Sequence, residues 1–125
     1  MVEIKDMIFT RGQDGVLIAQ EIELELLENK PKVKLIPLTR GKIQEVYAMA
    51  NSDNIEEKTK SDLEIIKNGL VEPKMDEQQI SDLKPKWATA LTTAILAISL
   101  DISQTEIGRK TTEIIASEEY MLKKK

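Results

Sequence analysis

The 125-residue chain contains neither histidine nor cysteine. Those absences remove the side chain that changes charge near neutral pH, the usual thiol nucleophile and the soft metal ligands. Carboxylates, hydroxyls and lysines are left as the only conceivable chemistry. Aromatic residues are scarce as well, with Phe9, Tyr47, Trp87 and Tyr120 forming the whole set. A core must therefore be built from Ile, Leu, Val, Ala and Met, which suits helix packing better than a large sandwich. An apolar run of about 18 residues, as a membrane span needs, is missing, and so is a charged start followed by an apolar leader. The most apolar stretch, Trp87 to Leu100, is interrupted by Thr89, Thr92, Thr93 and Ser99 and reads as a buried helix. Nor is there a basic excess: the formal net charge is -4, with acids and bases interspersed, which gives no footprint for nucleic acid or anionic lipid. The resulting expectation is a protein that binds or assembles: no enzyme, no cofactor, no metal, no nucleic acid and no membrane.

What is present has the size of one domain, 1–125, with 41% apolar content, enough for one aliphatic core. The beginning differs from the rest. Val2 to Phe9 reads as a first strand, and Gly12-Gln13-Asp14-Gly15 as a turn before Val16-Leu17-Ile18. From Ile22 to Leu26 apolar and acidic residues alternate, and the alternation resumes at Val33-Lys34-Leu35 after Glu28-Asn29-Lys30-Pro31. An antiparallel hairpin would place Ile22, Leu24, Leu26, Val33 and Leu35 on one buried face, and it is preferred here to a helix over Ala19 to Leu27. Pro37 confines the second strand to an edge or ends it.

After Leu38 the period changes to 3.6. Thr39 caps a helix whose stripe is Ile43, Val46, Tyr47 and Ala50, closed by Asn51-Ser52. Asp53 with Glu56 has capping-box form and opens a second helix, with Ile55, Leu63 and Ile66 inward and Asn68-Gly69 as a C′ stop. The two should form a helical hairpin. Val71-Glu72-Pro73 reads as a connection to a short helix from Asp76, with Gln79 at the box position and Ile80 and Leu83 on one side. Lys84-Pro85 ends that helix and starts the next. The next, Pro85 to Leu100, has Trp87, Leu91, Ile95 and Ile98 on one face and alanines around it, and is the expected central helix. Ser103-Gln104-Thr105-Glu106 is a further capping box, with Ile102 and Ile107 as its staple, opening a last helix through Ile114, Ile115 and Met121. The expected fold is α+β and mostly α. A β-rich part over 1–38, holding a hairpin or three strands, is followed over 39–122 by a bundle of about five helices.

Chemical motifs are weak. The acid pairs Glu23/Glu25, Glu56/Glu57 and Glu118/Glu119 read as solvated faces, Gly12 to Gly15 as a turn lacking the lysine of a phosphate loop, and Ser103 to Thr112 as a helix-turn-helix start without a basic recognition helix. For partner contact the candidates are Tyr120, Met121 and Leu122, an apolar cluster at the chain end, and Trp87 with Leu91 and Ile95 on the same helical face, where core packing is the competing reading.

Three stretches carry a resemblance: PLTRGKIQEVYAMA (Pro37 to Ala50), EIIKNGLVEPKMDEQQISDLKP (Glu64 to Pro85), and the Ala/Thr/Ile-rich helix that follows. In this layout, over roughly residues 20 to 122, the chain is similar to the phage tail assembly chaperone family of long-tailed bacteriophages. The resemblance implies a cytoplasmic protein of the bacterial host that binds the helical tape measure protein, with the tail tube protein as a further partner and self-association left open. It would keep the apolar faces of the tape measure from aggregating until tube subunits polymerise around it. Lys123-Lys124-Lys125, which adenine-rich codons could encode, fits the translational frameshift by which many such chaperones are made in two forms; taken alone, the three lysines read first as a solvated basic helix end. The alternative reading is a structural virion protein, a head-tail connector or tail completion protein.

Overall fold

A computed structural model of the protein describes residues 2–107, with the backbone alone for 57–59. The fold is α+β and mostly α-helical. In chain order the elements are β1 (Gln20–Glu23), β2 (Lys32–Leu35), α1 (Arg40–Ala50), α2 (Ile55–Gly69), β3 (Leu70–Glu72), α3 (Glu77–Ser81) and α4 (Pro85–Leu100), with a further helical turn at 104–107.

The expected hairpin forms. β1 and β2 pair antiparallel with Ile22 opposite Val33 and Gln20 opposite Leu35. Because side chains alternate along a strand, the same register sets Glu21 opposite Lys34 and Glu23 opposite Lys32 on the outer face. The connection between them turns through positive φ at Asn29 and Lys30. Leu24 and Leu27 are buried there while Leu26 is 45% exposed. That corrects the expected inward face: past Glu23 the chain leaves the strand and turns, with the Leu27 N–H donating to the Leu24 carbonyl, so burial follows a spacing of three instead of two.

β2 is the middle strand of a three-stranded sheet in the order β1-β2-β3. Its second partner is the segment read from sequence as a connection: Leu70 pairs with Leu35 and Glu72 with Lys34, across a bulge between Lys34 and Leu35. Pro37 lies beyond the end of β2, where it removes no ladder donor.

The first strand expected over Val2 to Phe9 does not form. Ile4–Asp6 is a single 3₁₀ turn, held by the Glu3 and Asp6 side chains, and the strand-like contact nearby among the described residues is an isolated bridge between Arg11 and Leu17. The Gly12 to Gly15 turn is present, with Gly15 at φ 79° and the Arg11 guanidinium donating to the Gly15 carbonyl at 2.7 Å.

Local capping signals place the helices. The Thr39 side chain accepts from the Lys42 N–H, and Asp76 and Gln79 form the reciprocal box that opens α3. Pro85 is the first residue of α4. Two details of α2 differ from the expectation. Asn54, not Asp53, is its N-cap, accepting from the Glu56 N–H at 2.9 Å, and Ile55 therefore projects into solvent, 78% exposed. Gly69 is not a left-handed stop; it is the last residue of the helix, and a Cβ there would lie 2.6 Å from Cγ2 of Ile95. Its missing side chain is what lets α2 approach α4. In α1, Val46 is buried and Ile43 packs against the core, whereas Tyr47 and Ala50 of the expected stripe are exposed.

α4 is the central helix, with Ala90, Leu91, Thr93, Ala94, Ile95 and Ala97 buried. Sheet and helices share one apolar cluster, in which Leu24, Leu35, Ile66 and Ile95 are the largest fully buried side chains. Two polar ties fix the C-terminal end of α4. Ser99 Oγ donates to the Ile95 carbonyl and accepts from the Leu38 N–H at 2.7 Å, joining α4 to the segment after β2. Past the left-handed Asp101, buried Gln104 donates to the Glu23 carbonyl at 2.7 Å and accepts from the Glu25 N–H at 3.1 Å, satisfying the backbone where β1 ends. Ser103 caps the following turn, accepting from Glu106 N–H at 3.1 Å.

Candidate partner-binding groove

Where α3 hands over to α4, the chain folds back across the end of the sheet and leaves an open groove of ≈ 620 Å³. One wall comes from α3, α4 and the chain beside them: Met75, Gln79, Leu83, Trp87 and Leu91. The other comes from the sheet end: Pro31, Val33, Leu70 and Pro73. The groove exists because α3 is short. One capped turn sets Ile80 into the core and stops at Asp82, and Lys84-Pro85 then redirects the backbone, so that Met75 and Leu83 flank a space instead of closing it.

α3 is held from the other side by an ion pair to α2, Lys67 Nζ to Glu77 Oε1 at 2.7 Å. The hydrogen bond between them, and then their opposite charges, hold the Glu77 carboxyl below its ordinary value and raise the Lys67 ammonium above its own. The rim of the groove is charged, with Lys32, Lys84 and Asp82 among its lining residues.

The sequence-derived site residues divide three ways. Trp87 is half-buried and lines the groove, and Leu91, one turn on, is buried in its floor. Ile95 is fully buried against Gly69 and belongs to the core, so it offers nothing to a partner. Tyr120, Met121 and Leu122 lie outside the described residues. Sequence reasoning missed Pro31, Val33, Leu70, Pro73 and Met75, which reach the groove only through the pairing of β3 with β2; Leu83, placed beside Ile80, was the nearest signal.

A second apolar recess, of ≈ 800 Å³, lies between the N-terminal segment and the start of α1, lined by Met7, Ile8, Phe9, Leu17, Ile43, Tyr47 and Leu100 among others. Val2, Ile4, Met7, Ile8, Val16 and Ile18 in that segment are all more than half exposed. Among the described residues, no group of three or more acidic side chains is placed to hold a metal ion, and no helix is long and apolar enough to cross a membrane. What these surfaces offer chemically is apolar area with a charged border, suited to a side-chain stripe of another polypeptide. Comparison with protein-family models, with curated proteins and with solved structures finds no match to the chain.

Proposed function

We propose that the protein is an assembly chaperone of a long-tailed bacteriophage, which binds the tape measure protein in the bacterial host cytoplasm and keeps it from aggregating during tail morphogenesis. The observation that carries this reading is the open groove around Trp87, Leu83 and Met75, apolar in its walls and charged at its edge. A helix with apolar residues at i, i+3, i+4 and i+7 lays such a stripe into a groove of this kind. Met75 adds an adaptable wall, useful for a client that presents many similar but non-identical segments. Several copies on one long client make the binding multivalent, so weak single contacts suffice. The choice of client rests on the resemblance of Pro37 to Ala50 and Glu64 to Pro85 to the chaperone family.

The test is co-expression with a phage tape measure protein. The wild-type chain should keep that protein in the supernatant, and a chain carrying Trp87→Ala and Leu83→Ser should leave it in the pellet while keeping a wild-type circular dichroism spectrum. A client equally soluble with either chain would refute the reading.

One feature favours the alternative of a structural virion protein. The exposed aliphatic side chains of the N-terminal segment suit contact between neighbouring subunits of a ring. Mass spectrometry of purified virions separates the two, since a chaperone is absent from finished particles and a connector or completion protein persists in them.

A further inference from the structure

We infer that the groove selects an acidic amphipathic helix, one whose apolar stripe is bordered by Glu or Asp. The inference rests on the groove being the partner site and adds the charge of what it takes. Acidic residues outnumber basic ones in the chain, 22 to 18, yet the groove reverses that balance. Lys84 stands in its wall beside Lys32, which is paired with Glu21 at 3.6 Å, while Lys74 and Lys86 each sit between or beside lining residues, next to Pro73 and Met75 in one case and Trp87 in the other.

Of the acids nearby, Glu72 faces Lys34 at 3.7 Å and Glu77 is held by Lys67, while the Asp82 carboxylate accepts from the Gln78 side chain at 3.2 Å, which orients it but leaves its charge as that of the one acid among the described residues lining the groove. By contrast Lys74, Lys84 and Lys86 make no ion pair among the described residues, and each is exposed. The Trp87 end of the groove is therefore apolar with free ammonium groups around it. The first turn of α4 there contains no acid to offset them. Opposite charges bordering an apolar stripe fix the register of a docked helix and speed its encounter, whereas a lysine-bordered stripe of the same shape is repelled.

The sole tryptophan lines the groove and reports its occupancy directly. The full chain is titrated with two synthetic tryptophan-free peptides that share one leucine stripe, flanked by Glu in one and Lys in the other. Trp87 emission is followed at low and high salt. The Glu peptide should bind about 10-fold tighter, an advantage that fades as the Debye length falls from ~30 Å at 0.01 M to ~3 Å at 1 M salt. In the variant carrying Lys84→Glu and Lys86→Glu the preference should invert.

Equal affinity for the two peptides overturns the acidic preference while leaving the groove as a partner site. Failure of both peptides to change Trp87 emission overturns the preference and the groove as a partner site alike. A concentration-dependent emission change without peptide, matched by dimers in sedimentation, shows that a second copy is the occupant and also overturns the inference.

Discussion

The N-terminal segment, Val2 to Ala19, and the central helix α4 are both rich in large aliphatic side chains, and they treat them oppositely. In α4, Leu91 and Ile95 are buried along with the alanines between and beside them. In the N-terminal segment no residue is buried, and Val2, Ile4 and Met7 are at least 70% exposed. The difference lies in spacing. Apolar residues in α4 recur so that several faces of one rigid helix meet neighbours at once. Those of the first segment are loosely spaced around a single 3₁₀ turn and one bridge, and none of them is buried by another described element. Hydrophobicity drives burial only where the backbone first gathers it on one side.

The largest test of that contrast is Ile95→Ala. Ile95 has no exposed surface, and its loss should cost about 2–5 kcal/mol in chemical denaturation, as for other aliphatic truncations in close-packed cores. A loss below about 1 kcal/mol would mean that α4 is no better packed than an average surface site.

Gly69→Ala sharpens the point from the opposite direction. The added methyl would lie 2.6 to 2.8 Å from three carbons of the Ile95 side chain, which is β-branched and fully buried and so has little room to yield. Overpacking of this kind should destabilise the protein by about 1–3 kcal/mol, although alanine favours a helix interior. Unfolding monitored by circular dichroism checks it, and a more stable variant would show that Gly69 merely ends the helix.

On the other side of the comparison, replacing Ile4 and Ile8 by serine should change stability by less than about 0.5 kcal/mol. The same variants should lower the surface hydrophobicity reported by dye binding. A loss comparable to that from Gly69→Ala would place the first segment in the folded body.

The smallest effect belongs to the Lys67–Glu77 pair that braces α3, both of whose side chains are well exposed. The carboxyl value is lowered on folding, so its contribution is present above the unfolded carboxylate range and lost as pH falls through the lowered value. The lysine value is raised, so its contribution is complete below the unfolded lysine value and lost as pH rises through the raised one. Urea midpoints of wild type and Glu77→Gln should therefore differ slightly near neutrality, converge in acid and converge again in added salt.

Much of the fold was legible without coordinates. The hairpin of β1 and β2, the caps Thr39, Asp76 with Gln79, and Ser103, and the start of α4 at Pro85 depend on contacts within a few residues, and those contacts are encoded by side-chain type and spacing. The strand expected over Val2 to Phe9 failed because loose apolar spacing is no pattern of period two. Ile55, the first residue of α2, and Tyr47, at the open recess beside α1, are exposed because a helix face is inward only where something packs on it. The groove was half legible. Trp87 and Leu91 stood out on a helical stripe, but the same stripe continued into Ile95, and nothing in its period distinguishes a floor residue from a core residue.

The sequence by itself settled that these 125 residues offer neither imidazole nor thiol, and where α1, α3 and α4 begin, since absence of a side chain and local hydrogen bonding need no distant partner. Tertiary structure alone decided that Leu70 to Glu72 is a strand, that Gly69 is a point of close helix approach, and which aliphatic side chains remain outside. Those outcomes depend on what lies across from a residue, and the pairing of β3 with β2 brings together positions far apart in the chain. The groove is a product of that pairing: its sheet wall and its helix wall meet only after the chain has folded.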